Sequence, residues 1–269
     1  MALAALKANM NQTETVLVTG ASSGIGLELA RCFAADHSNL ILTARNVPAL
    51  ETLAAELRNL HQINVEIVGA DLAQPDSPQY VFDHLQGRGV VVDVLVNNAG
   101  FGLHGSFSQL PLANQMDILR VNNLALVALT GLFLPGMVQR QHGGVLNVGS
   151  VAGFLPGPGM AVYYASKAFV QSFSEAIHEE LRGTGVRVMN LCPGPTESNF
   201  SRVARRYQTR ELQARKMSAA EVAVAGHHAF RKGRCLCVPG VANRVLAQLP
   251  RWLPRAVIRR GVSRYNKLK

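Results

Sequence analysis

From Thr15 onward the chain alternates short, continuously apolar runs with segments of helical character, and this alternation constrains its fold more than any other feature. The runs are "TVLVTG", "NLILTAR", "NVEIVGAD", "VVDVLVNNAG", "GGVLNVGS" and "GVRVMNLCPG", and the segments between them span 25–35, 47–59, 77–86, 114–139 and 161–182. A strand covered on one face alternates apolar with polar residues. These runs are apolar at consecutive positions, as in a parallel sheet with helices on both faces. The expected architecture is therefore α/β, a doubly wound parallel sheet. A chain of 269 residues buries a substantial core. Residues 13–240 are expected to form one domain and 241–269 a basic helical extension.

In such sheets ligands bind beyond the carboxyl ends of the strands. Those ends read "TGASSGIG", "TAR", "GADL", "NNAG", "NVGS" and "CPGPTES", every one polar or glycine-rich. The first follows a strand and opens a helix. Glycines at 20, 24 and 26 permit a tight turn and close approach of backbone to a diphosphate, and the helix N-terminus offers unpaired N–H groups. This marks a Rossmann-type dinucleotide site, although the G-x-x-x-G-x-G spacing differs from the commoner G-x-G-x-x-G. The second strand ends in "LTARN", where an NAD site places an acid for the ribose hydroxyls. Here Ala44 and Arg45 stand instead. An arginine suits a 2′-phosphate, which favours NADP(H) over NAD(H), while a solvated loop arginine is the plainer alternative.

Composition narrows the class further. With 48% hydrophobic and 16% charged residues the chain is globular rather than disordered. Its longest apolar run, 124–134, is interrupted by Thr130 and Gly131 and falls short of the roughly 20 residues that span a bilayer. The opening "MALAALKANMNQTET" lacks the pattern of a secretory signal, and a cytoplasmic location is expected. Four scattered cysteines, Cys32, Cys192, Cys235 and Cys237, make no disulfide framework and read as small buried residues. The net charge of +10 is uneven: residues 1–200 carry 10 basic against 15 acidic side chains, and 201–269 carry 17 against 2.

The stretch "VYYASKAFV" places two tyrosines ahead of a lysine in a helical segment. Tyr163 precedes Lys167 by four residues and Tyr164 by three, so helical spacing hardly separates them. Ser150 ends a strand thirteen residues before Tyr163, so that a hydroxyl at the sheet edge faces one on the next helix. Together with "TGASSGIG", "NNAG" at 97–100, Asn122 in "LRVNNLA" and "PGPTES" from 193, these residues resemble, in order and spacing, the short-chain dehydrogenase/reductase family over most of 15–200.

The resemblance implies an oxidoreductase that moves a hydride between a nicotinamide and a carbonyl or secondary alcohol. Tyr163 would be the general acid in reduction and the base in the reverse direction. An ordinary tyrosine titrates near about 10, so the positive charge of Lys167 would lower it. Ser150 would hydrogen-bond the substrate oxygen, and Asn122 would kink its helix and fix a relay water. Lys167 would also hold the nicotinamide ribose. Gly20, Ser22, Ser23, Gly24, Ile25 and Gly26 would cradle the diphosphate, with Arg45, Asp71 and Leu72 at the adenosine end. Asn98, Ala99 and Gly100 would lie along the cofactor, and Pro193, Gly194 and Thr196 at the nicotinamide. Tyr164 is read as a packing or dimer-facing neighbour. A cofactor-binding sensor or scaffold without turnover is the alternative, disfavoured by the intact set of Asn122, Ser150, Tyr163 and Lys167.

The family builds its substrate pocket from loops that read here "FGLHGSF", "VAGFLPGPGM" and "NFSRVARRYQ". Phe154, Leu155 and Phe200 are expected, with Ser150, to line an apolar cavity for a hydrophobic ketone, aldehyde or alcohol. Arg202, Arg205 and Arg206 read either as solvated or as partners of an acidic group. No metal is expected, since His104, His227 and His228 lack companion ligands. The tail "LPRWLPRAVIRRGVSRYNKLK" reads as a basic amphipathic helix that lies on an anionic membrane surface, packs on its own subunit or covers an oligomer interface. The resemblance implies a homodimer or homotetramer. No nucleic-acid-binding module accompanies the charge, and nucleic acid is not expected as a partner.

Overall fold

The computed structural model describes residues 13–197 and 216–266. Six main strands, β1 (Thr15–Thr19), β2 (Asn39–Ala44), β3 (Val65–Gly69), β4 (Val94–Asn97), β5 (Gly143–Val148) and β6 (Val186–Leu191), form a parallel sheet. A two-residue strand β9 (Leu236–Cys237) closes its edge, giving the order β3-β2-β1-β4-β5-β6-β9. A separate short ladder pairs β7 (Thr196–Glu197) with β8 (Met217–Ser218). The order reverses between β1 and β4, and a crevice opens at the carboxyl ends of the strands on either side of that reversal.

Both faces are covered, which is why the strands are apolar at every position. Val16 and Val18 point into a core shared with α1 (Gly24–Ala35), α2 (Val47–His61) and α6 (Ala219–Arg231). Leu17, between them, points into the core on the other face, shared with α3 (Ser77–Gln86), α4 (Leu112–Arg140) and α5 (Ala161–Glu180). Each fully buried side chain of this size contributes about 1.5–3 kcal/mol. At the α1–α6 contact, Phe33 meets Phe230 edge-on at 6.2 Å, and Arg231 reaches Glu14 and Asp36 at 2.7 and 2.8 Å. A capping box between Ser218 and Glu221 starts α6.

The helix α4 runs for 29 residues, longer than the 114–139 expected, and is long and apolar enough to cross a membrane. Leu129, Phe133 and Met137 bury its inner side against the sheet. Near its middle, Arg120–Leu124 forms a π turn, whose extra residue turns Asn122 and Asn123 both inward. Buried amides then tie helices to sheet. Asn97 Nδ2 donates to Asn147 Oδ1 at 2.9 Å, and Asn147 Nδ2 donates to Ser174 Oγ at 2.9 Å, which fixes α5 over β5.

Beyond β9 the chain forms α7 (Val241–Trp252) and α8 (Arg255–Tyr265), separated at Leu253 and Pro254. Of the placements open to this basic segment from its sequence, α8 takes the inward one. Ile258 and Val262 are buried with Ala152, Met160, Tyr163 and Tyr164.

Candidate active site

The glycine turn is built by close packing at the reversal of strand order. Thr19 Oγ1 donates to the Val96 carbonyl at 3.1 Å and accepts from the Asn98 and Ala99 amides at 2.9 and 3.0 Å, joining the ends of β1 and β4. Gly20 has φ +65°, and a Cβ there would lie 2.9 Å from Ala99 Cα, so backbone conformation and space both demand glycine. Gly24 likewise has φ +60°. Ser23 is the N-cap of α1, yet its side chain makes no capping bond, so the first N–H groups of that helix are left to the crevice.

Gly20, Ser22, Ser23, Gly24 and Ile25 line the crevice, while Gly26 does not. Two residues along a helix is about 200° of rotation, so Gly26 faces away from the cleft. It packs against the Asn98 amide, and a Cβ there would lie 2.6 Å from the Gly20 carbonyl. Asn98 Nδ2 in turn donates to the Thr19 carbonyl at 2.8 Å and to that of Gly20 at 3.2 Å. Gly26 is thus not a lining residue of the crevice as its motif suggests; it stands one step back, where it lets Asn98 hold the turn. Arg45, Asp71 and Leu72 line one end of the crevice, and Asn98, Ala99, Gly100, Pro193, Gly194 and Thr196 line its floor and far side. Asp71 Oδ1 accepts from the Ala73 amide at 3.1 Å, which shapes its loop.

The tyrosine helix is positioned mainly through main-chain atoms. Asn122 exchanges two bonds with the backbone of Phe101, accepting from its amide at 3.1 Å and donating to its carbonyl at 3.0 Å, and also donates to Ser166 Oγ at 2.9 Å. Asn123 donates to the Ser166 carbonyl at 2.9 Å, and Ser166 Oγ donates to the Tyr163 carbonyl at 2.7 Å. The turn of α5 that carries Tyr163 and Lys167 is thereby locked to the loop after β4. Nothing in the sequence sets Asn123 or Ser166 apart from their neighbours Asn122 and Lys167, which carry the recognisable spacing.

Lys167 is buried, and its Nζ donates to the Val148 carbonyl at 2.7 Å. Desolvation lowers its pKa to about 8, so near pH 7 it remains protonated. A Cβ at Gly100 would lie 3.5 Å from that Nζ and 3.0 Å from Asn122 Oδ1, so the two polar groups converge on the open side of this glycine. Ser150 N-caps the short 3₁₀ turn Val151–Phe154, its Oγ accepting from the Ala152 amide at 3.1 Å. One lone pair is thus engaged. Its own proton has the Pro193 carbonyl at 3.5 Å, a weak partner.

The apolar side of the cleft departs from expectation. Leu155, Met160, Tyr163 and Tyr164 line it together with Ser150, but Phe154 does not. The 3₁₀ turn sends Phe154 to the other side, into a shallow depression with Gln171, Glu175 and Ala247. Phe200 lies outside the described residues. Tyr164, read as packing, packs against Gly157 and shares the cleft wall. The rest of that wall comes from α7 and α8, through Leu246, Leu249, Val257 and Gly261 among others. A clasp holds α8: His104 Nε2 donates to the Asn266 carbonyl at 2.7 Å, and Asn266 Nδ2 donates to the Pro158 carbonyl at 2.7 Å. The apolar residues at helical spacing in 242–265 were the sequence signal for this wall, but only the clasp tells which side of the helix faces in. The whole cleft measures about 2130 Å³, well above the roughly 300–1,000 Å³ of a single small-molecule pocket.

Residues 14–209 match the model of the short chain dehydrogenase family. The chain belongs to this family. Among relatives of this short-chain dehydrogenase, sulfoacetaldehyde reductase 2 of Chromohalobacter salexigens is 39% identical over 193 residues, 71% of this chain and 76% of that protein. A very-long-chain 3-oxoacyl-CoA reductase of Phaeosphaeria nodorum is 37% identical over 176 residues, 64% of this chain. The chain spans about half that relative's length, 52%. Among solved structures, a short-chain dehydrogenase from Sphingobium yanoikuyae in complex with NADPH is 31% identical with a TM-score of 0.80, covering 95% of this chain and 96% of that one. The family relation supports a nicotinamide-dependent oxidoreductase; the relatives' names range from a small sulfonated aldehyde to very long acyl thioesters, and do not choose a substrate.

Proposed function

We propose that this chain is an NADP(H)-dependent oxidoreductase acting on the carbonyl or secondary alcohol of an apolar substrate. The observation that carries this reading is the convergence of Ser150, Tyr163 and buried Lys167 on a cleft with a glycine-built diphosphate cradle at one end and an apolar wall at the other.

A nicotinamide dinucleotide suits the residues present. The N–H groups at the start of α1, uncapped by Ser23, match a diphosphate, and the positive-φ turn at Gly20 and Gly24 lets backbone approach it. Arg45, which lines the cleft just after β2 where an acid would select NAD, supports a 2′-phosphate. The bound cofactor supplies the hydride. Tyr163 gives its phenolic proton to the substrate oxygen in reduction, while the Lys167 ammonium lowers the cost of the phenolate left behind. Ser150 donates to the same oxygen and stabilises the charge that develops there. Asn122 holds the Phe101 backbone and Ser166, and so keeps the tyrosine helix in register with the cleft.

The test is oxidation of NADPH, with NADH in parallel, across apolar ketones, aldehydes and 3-oxoacyl thioesters. We expect a preference for NADPH that Arg45→Asp reduces by about 10–100-fold, since a charge-assisted hydrogen bond contributes about 1.5–3 kcal/mol. Tight NADPH binding without turnover on the whole panel would instead favour a cofactor-binding sensor.

We further propose a homodimer or homotetramer assembled through α4 and α5. Met116, Leu124 and Val127 on α4 and Phe169 on α5 leave apolar surface exposed, with Leu124 at 65% exposure. Leu124→Asp is expected to lower the mass seen by light scattering; a monomeric parent protein would remove this proposal.

A further inference from the structure

Among the residues of α7 and α8 that line the cleft, Ala242, Leu246, Leu249, Val257, Gly261 and Tyr265 recur at helical spacing. Gly261 lies in the middle of the α8 part of this stripe, one helical turn from Val257 on one side and from Tyr265 on the other. It alone of the six lacks a side chain.

Nothing in the backbone or the packing accounts for a glycine there. It sits inside a helix with no left-handed φ, where alanine or leucine is the better helix former. No described atom lies within 4 Å of a Cβ placed on it. The contrast with the glycines of close approach is plain. Gly20 meets Ala99, Gly157 meets the Tyr164 ring and Gly194 meets Asn243. Gly261 is exposed where it lines the cleft, so a helix-weakening residue leaves a notch between the side chains of Val257 and Tyr265.

The notch is held in place relative to the chemistry. The neighbouring residues Ile258 and Val262 are buried against Met160, Tyr163 and Tyr164, and the bonds from His104 to Asn266 and from Asn266 to Pro158 fix the end of the helix. We propose that Gly261 is a specificity-determining residue whose notch receives the distal part of an extended apolar group attached to the reacting carbonyl carbon, an alkyl or acyl tail. This deepens the oxidoreductase reading above and rests on it.

The experiment compares the full chain with Gly261→Ala and Gly261→Leu on a homologous series of methyl ketones of increasing chain length, with NADPH affinity followed separately by nucleotide fluorescence. Filling the notch should lower the ratio of kcat/KM for long over short ketones by at least about tenfold in Gly261→Leu, mostly through KM, as expected when methylenes lose their pocket. Gly261→Ala should fall between. NADPH affinity should match the parent, and the thermal midpoint should be equal or higher because the helix gains a better former. A chain-length profile parallel to the parent in both variants overturns the proposal. If the parent binds NADPH but reduces none of the ketones, it is the oxidoreductase reading that fails. The notch is then judged by calorimetry of long-chain alcohols binding to the NADPH-loaded proteins, where equal affinities for parent and Gly261→Leu overturn it.

Discussion

Tyr163→Phe is expected to slow carbonyl reduction by about 10²–10⁴-fold, the usual contribution of a positioned proton donor, while the nucleotide binds as before. The substitution removes one oxygen from a ring that is 9% exposed and packed with Met160, Ile258 and Val262. The bond that locates this turn of α5, from Ser166 Oγ to the residue 163 carbonyl, uses the main chain and survives. Packing is therefore retained and proton transfer is lost. Tyr164→Phe is the matched control, because its ring shares the wall but packs against Gly157, and the proposed function gives it no proton to transfer; a change of a few-fold at most is expected. Steady-state rates with NADPH titrations on both variants check this. Equal losses in the two, or a loss of NADPH affinity that tracks the loss of rate, would show that position 163 serves packing.

Lys167→Met is the second large expectation, and it links catalysis to stability. Burial lowers the Lys167 ammonium from its ordinary 10.5 to about 8. Below about 8 both folded and unfolded chains hold this proton, and the folded one bears the full desolvation. Between there and 10.5 the unfolded chain keeps the proton while the folded chain has released it, so this group makes stability rise with pH across that window. The gain over the whole window is on the order of 3 kcal/mol. Cys192 acts in the opposite direction, since burial pushes its thiol up to about 12 and the unfolded chain ionises first. The readout is consequently the difference between parent and Lys167→Met in denaturant unfolding of nucleotide-free protein at several values of pH from 7 to above 10. That difference should shift in favour of the parent as pH rises, and turnover should fall by about 10²-fold or more at every pH. A difference that stays flat would mean the lysine is hydrated in solution.

Much of this architecture is legible in the sequence because the rules that write it are local. Continuous apolar strands such as "TVLVTG" announce a two-sided sheet, and polar strand ends announce the edge that binds ligands. Where expectation and structure part, the cause is rotation about a helix or a contact distant in sequence. Gly24 and Gly26 share a motif, yet the helix turns one toward the crevice and the other toward Asn98. Phe154 and Leu155 are adjacent, but the 3₁₀ turn capped by Ser150 sends them to opposite sides. The π turn that brings Asn123 in beside Asn122 has no local signature in "LRVNNLA". The inward face of α8 depends on His104 and Asn266, 162 residues apart.

The reliance of the tyrosine helix on main-chain partners also bears on how such a protein changes over generations. Phe101 N and O, the Ser166 and Tyr163 carbonyls and the Val148 carbonyl are present whatever side chains surround them. Mutations of the exposed cleft residues of α7 and α8, such as Val257 and Gly261, can reshape the wall while leaving the hydrogen bonds that hold the tyrosine helix intact. On the proposed function, such a lineage can change its preferred substrate through that wall while the hydrogen bonds of the tyrosine helix stay as they are.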